Sequence, residues 1–122
     1  MSRILIIDDD KDVVDLVRFL LEQDGHQMLE ANDGIEGIRV AEQELPDLII
    51  LDVMMPEKDG YSVNTHLLSQ TKTQKIPILV LTAKGQMRDL FELAPNVRFY
   101  MEKPFESKEL RRNVNTALGK TN

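Results

Sequence analysis

The chain of 122 residues contains no cysteine and no tryptophan, and only 5% of it is aromatic. The absence of cysteine excludes a disulfide framework, a thiol nucleophile and a thiolate zinc site, and it agrees with a reducing compartment, so a cytoplasmic location is expected. No stretch approaches the ~20 consecutive apolar residues of a membrane helix. The run Ile4-Leu5-Ile6-Ile7 ends in acids rather than in a small-residue cleavage site, so neither export nor a membrane partner is expected. Basic residues are in the minority, 15 against 21 acids, for a net charge of −6. Such a field repels polyphosphate backbones, and no direct nucleic-acid binding is expected.

Internal repeats and low-complexity tracts are also missing. The 42% hydrophobic and 30% charged content is that of a folded globular chain, and the length suits one domain over residues 1–122.

Five short apolar runs recur along the chain: Ile4–Ile7, Gln27–Ala31, Leu48–Leu51, Ile78–Leu81 and Val97–Met101. Segments of helical period separate them. The first predicted helix repeats Val13, Leu16, Val17 and Leu20 on one face, with Asp9 or Asp10 as N-cap and Gly25 as stop. The second starts near Asp33-Gly34, turns Ile35, Ile38 and Val40 or Ala41 inward, and ends before Pro46. A third spans roughly Tyr61–Gln70 and a fourth about Gln86–Leu93. Ser107 is expected to cap a fifth carrying Leu110, Val114 and Leu118. Runs that are apolar on both faces, such as Leu48–Leu51 and Ile78–Leu81, need cover on both sides, which alternating helices supply around a parallel sheet. The expected fold is therefore α/β, a (βα)₅ doubly wound parallel sheet of five strands.

In such a sheet, ligands bind beyond the carboxyl ends of the strands. Those ends run into Asp8-Asp9-Asp10, Asp52, Thr82 and Met101-Glu102-Lys103-Pro104. Acids, a hydroxyl and an amine are thus expected to converge. Carboxylates that close repel one another unless a cation neutralises them, which points to a hard divalent ion, Mg²⁺ first. One of them could then attack a phosphoryl group while the ammonium balances charge on its oxygens, giving an aspartyl phosphate.

The residues Ile6-Ile7-Asp8-Asp9-Asp10, Asp52-Val53-Met54-Met55-Pro56 with Asp59-Gly60, Leu81-Thr82-Ala83 and Lys103-Pro104-Phe105 together resemble a response-regulator receiver domain of two-component signalling, of the chemotaxis-regulator type. The resemblance covers essentially the whole chain. It implies a flavodoxin-like sheet of strand order 2-1-3-4-5. It implies that Asp52 is the phosphoacceptor, that Asp9 binds the metal directly and Asp8 through water, and that the Met54 backbone carbonyl completes the protein's share. Mg²⁺ is the implied ion, with Mn²⁺ as a substitute. Lys103 would pair with the phosphoryl oxygens, Thr82 would move onto the phosphoryl group, and Tyr100 would turn inward behind it. The implied partner face includes Leu90, Phe91, Arg98 and Tyr100. A histidine kinase or phosphotransfer protein would be the donor, with a downstream protein as target. The chain would be a monomer or weak dimer that modifies only itself and turns over no external metabolite.

Some residues depart from the family pattern. Met54 and Lys84, two residues after Asp52 and Thr82, stand where the family controls water access, so an apolar Met54 implies slow autodephosphorylation. Pro95-Asn96-Val97-Arg98 replaces the Gly-Ala common before the fifth strand. Other readings compete with this one. Asp8–Asp12 could be only a solvated helix start, which leaves Asp52 and Lys103 unexplained, and Asp52 could merely cap a turn before Pro56. An aspartyl-nucleophile phosphatase would use Asp8, yet Asp12 stands where that family wants Thr or Val. A phosphorylation-independent pseudo-receiver would not need the full acid, hydroxyl and amine set. Flavin binding would need a Ser/Thr/Gly-rich phosphate loop instead of acids. His26 and His66 are expected at the surface, the methionines in core gaps and loop anchors, and Lys72–Lys75 in a solvated loop.

Overall fold

A computed structural model describes residues 2–55, 59–83 and 94–119. It contains β1 (Arg3–Ile7), α1 (Lys11–Gln23), β2 (Gln27–Ala31), α2 (Gly34–Glu44), β3 (Leu48–Leu51), α3 (Gly60–Leu68), β4 (Ile78–Thr82), β5 (Val97–Glu102) and α4 (Ser107–Ala117). The strands form one parallel sheet in the order β2-β1-β3-β4-β5. This is the expected flavodoxin-like arrangement. The helix expected near Gln86–Leu93 lies outside the described residues.

Alternation along the strands divides the interior into two cores. Leu5, Ile7, Ile49, Leu51, Ile78 and Val80 face α2 and α3, where they meet Ile38, Ala41, Val63 and Leu67. Ile4, Ile6, Leu48, Ile50, Leu79 and Leu81 face α1 and α4, where they meet Val14, Val17, Leu21, Leu110 and Val114. Burying each such side chain contributes about 2 kcal/mol, so strands that are apolar on both faces hold both helical layers at once.

Several packing details differ from expectation. The buried stripe of α1 is Val14, Val17, Leu20 and Leu21, while Leu16 is 47% exposed. Two overlapping three-and-four stripes were available in this helix, and the sheet took the one that starts at Val14. In α2 the inward face is Gly34, Gly37, Ile38 and Ala41, and Ile35 is 57% exposed. Close approach bears on this: a Cβ on Gly37 would lie 2.6 Å from Ile7 Cδ1, so small residues stand beside Ile38 on the face that meets the sheet.

The end of α1 folds back through Gly25, at φ 89°. Its amide donates to Glu22 O at 3.0 Å, and the His26 amide donates to Leu21 O at 3.1 Å. That return tucks His26 inside, against its expected surface position. Ser107 does not cap α4. The N-cap is Glu106, without a side-chain bond, and Ser107 is the first helical residue. Thr73 is buried in the supposedly solvated loop, where its hydroxyl donates to Leu67 O at 2.7 Å and closes the end of α3.

Candidate functional site

Order 2-1-3-4-5 means that the chain leaves β1 toward one sheet edge and returns on its other side at β3. The crevice between those two strands is where a doubly wound sheet binds ligands. Asp8 and Asp52 are the residues that follow β1 and β3. The Asp8 amide donates to Ala31 O at 3.2 Å and the Asp52 amide to Ile7 O at 3.0 Å. Both acids are thereby fixed by backbone at adjacent strand ends.

Three of the four acids clustered in sequence at Asp8–Asp12 have separate roles here. Asp8 is 2% exposed, and its Oδ1 accepts from the Asp10 amide at 2.9 Å. Asp10 turns away to cap α1, its Oδ1 accepting from the amides of Asp12 and Val13. Asp9 stays exposed on the rim. One carboxylate oxygen from each of Asp8, Asp9 and Asp52 lies within 4.8 Å of the others. Burial pushes the Asp8 carboxyl up from 3.8 to about 6, and the nearby Asp52 charge adds to this, against the Asp10 amide and the Lys103 ammonium.

Lys103 reaches this pocket from the end of β5. Its Nζ stands 3.0 Å from Asp8 Oδ2 and 3.7 Å from Asp52 Oδ2. Its amide donates to Thr82 O at 2.7 Å, locking the two strand ends together. Thr82 is fully buried, and its Oγ1 has no hydrogen-bond partner among the described residues. An unmet buried hydroxyl is costly.

The loop after β3 is shaped by two contacts. The Met54 amide donates to Asp52 Oδ1 at 3.3 Å, and the Met54 side chain is 53% exposed. The Gly60 amide donates to Val53 O at 2.9 Å, and a Cβ on Gly60 would fall 2.5 Å from the Asp52 carbonyl oxygen. Only glycine lets the start of α3 approach the acidic loop so closely.

The other residues singled out from sequence fall further away. Tyr100 pairs with Val80 in the β4–β5 ladder and packs, half-buried, against the α2 and α3 core. Arg98 sits at the opposite end of β5, at a bulge where Ile78 pairs with Val97 and Leu79 with Phe99. It is exposed and borders a cavity of about 530 Å³ with Ser2, Asp47 and Pro77. Leu90, Phe91 and Lys84 lie outside the described residues. Sequence reasoning missed a buried pair: Asn96 donates to Asn64 Oδ1 at 2.6 Å and Asn64 donates back at 3.2 Å. Its one signal was Asn96 standing in a segment that departs from the family pattern.

Comparison with known proteins identifies the family and the fold. The sequence model of the response regulator receiver domain matches residues 4–115. The DNA-binding dual master transcriptional regulator RpaA of Synechocystis sp. (strain ATCC 27184 / PCC 6803 / Kazusa) is 43% identical over 99% of this chain and 51% of its own length. Protein PilH of Pseudomonas aeruginosa is 34% identical over 97% of this chain and 98% of its own. The chain therefore spans about half of RpaA and nearly all of PilH. A solved receiver domain of the sensor histidine kinase PA1611 from Pseudomonas aeruginosa PAO1, with a magnesium ion coordinated in its active site cleft, is 28% identical with a TM-score of 0.86. The match covers 97% of this chain and 98% of that one. The family match runs over nearly the whole chain and the five-stranded fold is shared with the solved receiver, so the chain belongs to the receiver domains of two-component response regulators.

Proposed function

We propose that residues 1–122 act as one receiver module in which Asp52 accepts a phosphoryl group from the phosphohistidine of a histidine kinase or phosphotransfer protein. The observation that carries this reading is the Lys103 ammonium at 3.0 Å from Asp8 and 3.7 Å from Asp52, beside three carboxylates within 4.8 Å of one another. That donor set, all hard oxygen with a strongly acidic charge, fits a divalent cation. Asp8, Asp9 and Asp52, with the Met54 backbone carbonyl, would hold Mg²⁺, and Mn²⁺ suits the same oxygens. When bound, the ion supplies positive charge that offsets the carboxylates and the phosphoryl oxygens.

Asp52 is the nucleophile. One carboxylate oxygen forms a bond to phosphorus as the phosphorus–nitrogen bond to the donor imidazole breaks, and the electron pair stays on that nitrogen. Lys103 neutralises charge on the transferred oxygens from a position it already occupies, so little reorganisation is needed. Thr82 then donates its unmet hydroxyl to a phosphoryl oxygen, and Tyr100 packs into the space left behind. Such a coupled change is a population shift between two packings, biased by the new charge. The moving strand end would alter the face met by the downstream protein, a face to which the resemblance assigns Leu90, Phe91, Arg98 and Tyr100. The chain would act on no substrate but itself.

Incubation with acetyl phosphate and Mg²⁺, read by intact mass, tests this. Wild type should gain one phosphoryl group and Asp52→Asn none. Equal adducts on both proteins would remove Asp52 from its role. Labelling lost in Asp8→Asn but kept in Asp52→Asn would favour an Asp8 phosphatase chemistry.

A further inference from the structure

Four of the six methionines are among the described residues. Met28, Met55 and Met101 are buried in the two cores, whereas Met54 is 53% exposed. Met54 is also tied to the reacting group, because its amide N–H donates to Asp52 Oδ1 at 3.3 Å. An accessible thioether therefore rides on the loop that grips the phosphoacceptor, while the other described thioethers are shielded. Thioether oxidation follows exposure, and it turns a flexible apolar side chain into a polar one that reductases can restore.

We infer that Met54 is an oxidation site, and that its conversion to the sulfoxide by peroxide shortens the life of a phosphoryl group on Asp52. This rests on the function proposed for Asp52. In the oxidation, a sulfur lone pair attacks one oxygen of hydrogen peroxide, the oxygen–oxygen bond breaks, and methionine sulfoxide and water result. Sulfur loses two electrons and the peroxide gains them.

The thioether is a poor hydrogen-bond acceptor, but the sulfoxide oxygen is a strong one. A water that donates to it would stand near the Asp52 loop with a lone pair free to attack phosphorus. Hydrolysis then forms the water–phosphorus bond, breaks the bond from phosphorus to the Asp52 oxygen, and releases inorganic phosphate with the carboxylate restored. One added hydrogen bond of ordinary worth corresponds to about a fivefold faster loss.

The test uses the full chain. Brief treatment with dilute hydrogen peroxide is followed by peptide mass mapping, then by acetyl phosphate with Mg²⁺ and timed intact-mass decay of the adduct. Sulfoxide should appear at Met54 well before Met28, Met55 and Met101, and the adduct half-life should fall about fivefold. Methionine sulfoxide reductase should return it to the untreated value. In Met54→Leu, peroxide should leave the variant's own half-life unchanged. Oxidation of Met54 no faster than of the three buried residues, or an unchanged half-life after Met54 is oxidised, overturns the inference. A peroxide response that persists in Met54→Leu does so as well. Absence of any adduct on untreated protein overturns the reading of Asp52 itself, and this inference with it.

Discussion

Among the described residues, Asp8 carries a clear pH signature. Its carboxyl titrates at about 6 rather than near 3.8, so between those values the folded chain holds a proton that the unfolded chain has released. Native binding of more protons means that stability falls as pH rises through this window and levels off above about 6. The shift corresponds to about 3 kcal/mol. Urea midpoints of the metal-free protein should therefore decline from pH 4 to pH 6 through this group, and Asp8→Asn should flatten the decline. The orphaned hydroxyl of Thr82 makes a second, opposite kind of prediction. Thr82→Val keeps the shape and removes an unmet buried polar atom, so the unmodified protein should gain about 1 kcal/mol in denaturant unfolding. A loss of stability would show that the hydroxyl has a partner in the resting state.

At the level of the elements, the contact between α3 and the acidic loop should be the least tolerant of change. Gly60→Ala sets a methyl 2.5 Å from the Asp52 carbonyl oxygen and 2.7 Å from Val53 Cα, both backbone, so the loop or the helix must move. The expected result is a loss of about 2 kcal/mol together with slower labelling by acetyl phosphate. The end of α2 offers the reverse. Leu45 stands in the left-handed region at φ 47°, ψ 62° as the helix C-cap, and Leu45→Gly should raise the thermal midpoint, worth up to about 1 kcal/mol.

The same elements show what patterning could convey. The runs Leu48–Leu51 and Ile78–Leu81 announced buried strands because nothing polar interrupts them, and Asp33 and Gly25 marked helix ends by their own chemistry. Ile35 and Leu16 misled because hydrophobicity says which residues can be buried, while backbone proximity, as at Gly37 against Ile7, says which are. His26 and Thr73 went inside because turns folded back, and turn direction leaves no mark on periodicity.

For the molecule as a whole, the pocket was legible because each contributor ends a strand, and parallel strands bring their carboxyl ends to one rim. The roles within it were less so. Asp8 and Asp9 are neighbours in sequence, yet one is buried and bonded to Lys103 and the other is exposed, a difference created by the start of α1. A chain of net charge −6 with three acids at one rim should also answer to divalent ions. Mg²⁺ at pH 7 should raise the thermal midpoint of wild type, and Asp9→Asn should blunt that rise; equal shifts in both would count against a shared site.

The amides of Asn64 and Asn96 join segments 32 residues apart. Neither can leave water profitably until α3 and the start of β5 have both docked, so the pair is expected to close late in folding. Asn64→Ala would strand its partner at a cost of about 2 kcal/mol. Nearly all of that should surface as a faster unfolding limb of the chevron, with the refolding limb barely displaced. The clasp would then set how long the native state lasts rather than how quickly it forms.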